Sequence, residues 1–200
     1  MIALPAAPAA PPRRQLIVGT AVAGSVAAMA VGGMLAVWWR FREAAPLKLS
    51  SDKGKMLKDF VPKSVKIQMV PANILVLTMI MACLVAQYAV YAAKRSDRAN
   101  TLLGVGLTGL MGLAALNAQS FLWHQSNAGV SKSRYESMFF AVTGTWFVLV
   151  IVGVVFTLVT AFRYVGGRTA DSEVVASHAL FWYILTGISI AVWFVVYVTK

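Results

Sequence analysis

Acidic residues are scarce in this 200-residue chain: only Glu43, Asp52, Asp59, Asp97, Glu136, Asp171 and Glu173 are present, and none lies inside a long apolar run. Just 12% of residues are charged and 59% are hydrophobic, with a mean hydropathy of +0.72. Soluble domains are roughly one-quarter charged, so this composition excludes a soluble enzyme. The single cysteine, Cys83, sits in an apolar run and excludes a disulfide framework. Two histidines and that cysteine are too few for a three- or four-ligand metal site. Eighteen Lys and Arg give a formal net charge of +11. They stand at the ends of apolar runs rather than together on a water-exposed face, which argues for topology and lipid headgroups and against nucleic acid.

Apolar runs of membrane length are what the chain has in abundance. A helix crosses the hydrocarbon with about 20 apolar residues, and five such spans are predicted at about 15–39, 67–93, 101–123, 137–162 and 174–199. Run length and the lack of strict alternation indicate helices rather than barrel strands. The fold class is therefore all-α, a polytopic membrane protein built as a bundle of five transmembrane helices in one domain, 15–200. Residues 1–14, rich in Pro and Ala, read as a mobile tail. Arg13 and Arg14 before an apolar run resemble a signal peptide, but that run is too long for a signal core and reads as a span.

The one long connection, 40–66, carries eight Lys/Arg and three acids. Met56, Leu57, Phe60 and Val61 within it have helical spacing, which fits either an amphipathic helix on the membrane surface or a solvated charged loop. The other connections are short, so the five helices are close neighbours. An odd number of spans puts the termini on opposite sides. The side with the N-terminus carries seven Lys/Arg and the other side eleven, mostly in the long loop. The positive-inside bias is thus diluted by one loop and leaves orientation open.

No acid or base is expected in the middle of any span, whereas pumps, voltage sensors and ion-coupled transporters depend on such groups. His124 ends the third span and His178 begins the fifth, on opposite membrane surfaces about 30 Å apart. They cannot share an iron, and both read as polar tips at the interface; no cofactor is expected on this chain alone. Ser177 beside His178 reads as a helix N-cap. Gln87, Asn117 and Gln119 read as buried amides that join helices. Gly24, Ala28 and Gly32 in span one, and Gly104, Thr108 and Gly112 in span three, form small-residue stripes that allow close helix approach.

Several local patterns, in order, resemble one family. Tyr135-Glu136-Ser137-Met138-Phe139-Phe140-Ala141-Val142-Thr143-Gly144 is similar to the Tyr-x-Ser-x-Phe-aromatic-x-x-Thr-Gly entry of subunit III of the heme-copper oxidases, in its five-span bacterial form. Trp146 and Leu149 then stand where that family has two histidines. Phe181-Trp182-Tyr183-Ile184-Leu185-Thr186, with Trp193 and Tyr197 beyond, is similar to its terminal Tyr-Trp-His-Phe-Val-Asp segment, with Tyr183 and Thr186 in place of His and Asp. Gln119 keeps the family's amide near the end of span three, and Leu122 replaces its Glu. Ala27 replaces a membrane-embedded Glu in span one, and Gln87 ahead of Ala92-Ala93-Lys94-Arg95 fits the second span. The resemblance runs over about 15–200, and every departure removes an ionisable or polar group.

The resemblance implies a non-catalytic subunit of a respiratory terminal oxidase (cytochrome c oxidase class), packed on subunit I near subunit II, holding phospholipid and stabilising the complex. Heme and copper would belong to those partners. It also implies a scaffold kept while its polar interior is lost, which puts any aid to proton supply in doubt. Gly33, Gln87, Gln119, Thr143, Gly144 and Trp182 are the candidate helix-packing or subunit and lipid contacts. Family topology would place the chain in a bacterial inner membrane, N-terminus cytoplasmic and C-terminus periplasmic. The loop 40–66 would then face the periplasm, where Lys53, Lys55, Lys58 and Lys63 could meet an acidic partner. The alternatives are a stand-alone transporter, an assembly factor, or a structural subunit of another respiratory complex.

Overall fold

A computed structural model describes residues 14–49, 56–63, 65–130, 132–167 and 172–199. Five helices are long and apolar enough to cross a membrane: α1 (Gln15–Glu43), α2 (Met69–Lys94), α3 (Arg98–Gln125), α4 (Arg134–Val165) and α5 (Ser172–Val192), which continues as a π-helical segment, Trp193–Val198. Helices α1, α3 and α4 extend beyond their apolar runs, adding charged and polar residues such as Arg40, Arg98 and Arg134, whereas α2 and α5 keep close to theirs. At 1.5 Å per residue the 26–32-residue helices α1–α4 are about 39–48 Å long, more than the hydrocarbon thickness.

Helix α5 is the hub, packing against α1, α2 and α4, while α3 joins α2 to α4 and α4 also meets α1. The two short connections are closed by local chemistry. Between α2 and α3, Ser96 adopts φ 57°, in the left-handed region, and Asp97 caps α3 by accepting from Asn100 N at 3.1 Å. After α4, Gly167 takes φ 87°, a conformation that favours glycine. Helix α1 has no side-chain cap of its own. Glu173, in the first turn of α5, accepts from Leu16 N at 2.9 Å and so places a carboxylate on the positive end of α1.

In the long connection, β1 (Leu47–Leu49) pairs antiparallel with β2 (Met56–Lys58), Leu47 opposite Lys58. This strand pairing takes Met56 and Leu57 out of the surface-helix alternative. Ser51 to Lys55 lie outside the described residues, as do residues 1–13 of the tail. Phe60 then turns inward, its ring 5.3 Å from Trp38 and 5.1 Å from Tyr135, each edge-on. Lys66 N donates to Ser126 O at 3.0 Å, so the loop is fastened to the α3 end of the bundle as well as to α1 and α4.

The small-residue stripe of α3 faces inward throughout. A Cβ at Gly104 would come within 2.8 Å of Ala89 Cβ and 3.0 Å of its Cα, and one at Gly112 within 2.9 Å of Val154 Cγ2. Of the α1 stripe only Gly24 is buried, with Ile184 filling the space above it, while Ala28 is half-buried and Gly32 exposed.

Gly104→Val is expected to destabilise the bundle by about 1–3 kcal/mol, because a backbone atom of α2 cannot give way. Gly33→Val should leave the isolated chain unchanged, since nothing lies near a Cβ there; thermal unfolding in detergent compares the two. A second expectation concerns pH. The Asp97 carboxyl is held below its ordinary 3.8 by hydrogen bonds from the Asn100 side chain and backbone. A lowered folded-state pKa adds stability that is present at neutral pH and lost as pH falls through it. Unfolding curves of the wild type and Asp97→Ala should differ at pH 7 and converge only well below pH 3.8.

Candidate functional site

Hydrocarbon provides no partners, so polar side chains in the spans must find them in one another. The deepest cluster joins α4 to α5. His178 Nε2 lies 2.8 Å from Thr157 Oγ1, and Trp182 Nε1 donates to Thr157 Oγ1 at 3.1 Å and approaches His178 Nε2 at 3.0 Å. Thr157 donates to Gly153 O at 2.9 Å. We assign the ring proton to Nε2: both N–H groups then converge on Thr157 Oγ1, and only a bare lone pair is left at Nδ1. The other tautomer would bury an unpaired N–H, the costlier defect.

This corrects the reading of His178 as an interfacial tip. Because α5 starts at Ser172, His178 lies about 9 Å along the helix and is fully buried. Ser177 is likewise not a cap; its hydroxyl donates to Glu173 O at 2.8 Å inside the first turns of α5. His124 is exposed at the end of α3, and the two histidines sit at opposite ends of the bundle. Neither faces the other across a space that a heme could fill, and among the described residues no group of three His, Cys, Asp or Glu could hold a metal.

Further pairs bind other helices. Trp146 Nε1 donates to Ser189 Oγ at 2.6 Å, and Trp123 Nε1 to Thr143 Oγ1 at 2.9 Å. Thr186 Oγ1 donates to Met79 O at 3.0 Å, and the Gln119 amide meets the Tyr197 hydroxyl at 3.4 Å, a contact the π-helical segment delivers. The interior is thus rich in hydroxyl, indole and imidazole groups rather than emptied of polarity. Trp146 and Thr186, which stand where the resembled family has ionisable residues, both carry hydrogen bonds.

The six candidate contact positions do not form one site. Trp182, Thr143 and Gln119 are buried in three separate pairings. Gly144 is half-buried with open space beside it, and Gly33 is exposed on α1. Gln87 is exposed, accepting a hydrogen bond from the Tyr183 hydroxyl, and Asn117 is exposed too, so neither is the buried amide expected of it. Gln87 nevertheless lies seven residues inside α2, about 10 Å from its end. It borders the outer stripe of α5, Tyr183, Gly187, Ile190 and Phe194, which α1 and α2 flank. A groove of about 310 Å³ runs on the α1 side, past Gly32 and Gly187, and another of about 360 Å³ on the α2 side, past Leu77 and Ile190. The buried pairings of His178 and Trp146 escaped sequence reasoning because their partners stand 21 and 43 residues away with no motif linking them.

Five apolar helices with a largely hydrogen-bonded interior define a multi-pass membrane protein. The chain belongs to the cytochrome c oxidase subunit III family, whose model matches residues 31–200. No individual curated protein matches it significantly.

Ser189→Ala leaves the Trp146 N–H buried without a partner and should cost about 0.6–2 kcal/mol. Adding Trp146→Phe should cost less than the sum of the two single changes. Unfolding in graded denaturing detergent measures the cycle.

Proposed function

We propose that the chain is a non-catalytic, subunit III-like component of a respiratory terminal oxidase. It packs on the heme- and copper-bearing subunit I, stabilises the complex and retains phospholipid at the junction. The family match over 31–200 carries this reading. The α1–α5–α2 face supports it: a Gln87 amide with hydrogen-bonding capacity to spare is costly against lipid and is satisfied by a partner helix offering a complementary group. Oxygen reduction needs metal ligands and belongs to the partner. In this reading residues 15–200 act as one domain in a bacterial inner membrane, with the N-terminus cytoplasmic. Gly33 and Gln87 then lie where a partner can reach them, while Gln119, Thr143 and Trp182 hold the helices that present the face.

The test is purification of the tagged chain from native membranes in mild detergent. A reduced-minus-oxidised spectrum and subunit mass spectrometry are taken on the eluate. Heme bands with large metal-binding subunits are expected. A heme-free eluate containing this chain alone would overturn the assignment and direct attention to transport.

A further inference from the structure

A further cavity opens away from the α4–α5 cluster and the grooves beside α5. It is about 450 Å³, at the end of the bundle where the long connection folds over the start of α4. Its floor is aromatic, formed by Phe60 and Tyr135, and Pro46 and Pro62 stand in its walls. Three cations line it, Lys48, Lys63 and Arg134, against one acid, Asp59. Lys48 Nζ is 3.2 Å from Asp59 Oδ2, which engages the one acid of the lining, so Lys63 and Arg134 face no second carboxylate in the cavity.

Two further observations point to a ligand. Arg134 is the first residue of α4, whose N-terminal backbone dipole favours an anion at this place. Tyr135, also in the lining, is only 2% exposed and its hydroxyl has no hydrogen-bond partner. A buried phenol is ordinarily paired. The neighbouring Glu136 carboxyl is buried and does not line the cavity. The cavity sits at the level of lipid headgroups, since α1 ends at Glu43 and α4 begins at Arg134.

We propose that this cavity binds a phosphate-bearing anion, with Lys63 and Arg134 on the phosphate and the Phe60–Tyr135 floor beneath its organic part. The chemistry is shared by an anionic phospholipid headgroup and a soluble phosphate ester. The site does not depend on which complex the chain joins.

The test uses the full chain, purified and delipidated, in native mass spectrometry. It is offered phosphatidylglycerol, phosphatidylcholine or glycerol 3-phosphate. Lys63 and Arg134 are exposed, so Lys63→Gln with Arg134→Gln should leave the fold intact, checked by thermal unfolding. Lys94→Gln with Arg95→Gln removes equal charge from the opposite end. Retention of about one phosphatidylglycerol, weakened about tenfold or more only in the Lys63/Arg134 variant, supports the site with a lipid source. The same pattern with glycerol 3-phosphate, in the absence of lipid, supports it with a soluble source. Equal weakening in both double variants, or in neither, would overturn it, as would phosphatidylcholine binding as well as phosphatidylglycerol. A heme-free purification with this pattern intact would remove the oxidase assignment and leave the site standing.

Discussion

Hydrocarbon supplies no hydrogen bonds, and the organisation of α5 answers to that constraint. Ser177, His178, Trp182, Thr186 and Ser189 face the interior, and each is paired within its own helix, to α4 or to α2. The pairs are short-range, yet they fix which helices can be neighbours. Thr157 can serve both His178 and Trp182 only if α4 lies alongside α5 in one register. Met79 O can accept from Thr186 only if α2 lies on another side. Leu and Val contacts alone would tolerate sliding, because lipid is as apolar as they are and association in a bilayer has little hydrophobic drive. Packing against small residues then sets the distance, as at Gly104 and Gly112.

The same constraint distinguishes the interior from the faces. Inside, most donors and acceptors close locally; among the described residues Trp38 Nε1, Tyr135 Oη and Glu136 Oε2 are left over at the end that carries the long connection, and Tyr164 Oη and His178 Nδ1 at the other. This end is also where a charged loop, an aromatic cluster and a cation-lined cavity meet. On the flank, the unfinished group is Gln87, on the α1–α5–α2 face. The end that carries the cavity and the α1–α5–α2 face are thus two of the places where polar groups stay open.

How much of this was legible in the sequence depends on the range of the interaction. The five spans, their order and their approximate ends follow from run length, which the backbone's need for internal hydrogen bonds makes reliable. The inward stripe of α3 was visible as Gly104, Thr108 and Gly112 at four-residue spacing. Hidden was the depth of His178: its place near the start of the fifth apolar run suggested an interface, while α5 starts at Ser172 and carries the imidazole inward. Gln87 and Asn117 look like Gln119 in sequence, and only the helix rotation set by neighbours separates exposed from buried. The hairpin at 47–58 was hidden because three-residue strands leave no period to count, and Met56, Leu57, Phe60 and Val61 imitate a helix.

The resemblance raised the question of what happens when a scaffold loses ionisable residues from its spans. Charged groups are expensive there and normally retained for function. In this chain Trp146 and Thr186 stand at two such positions, and both donate hydrogen bonds across a helix contact, to Ser189 and to Met79 O. Tyr183, at a third, donates to Gln87 on the open face. Leu122, at a fourth, is simply buried in the core. Ala27 and Leu149 carry no polar group either, so three of the six positions keep a polar link, none of them charged. A bundle held this way has its register fixed by neutral donors whose strength does not change with pH in the physiological range.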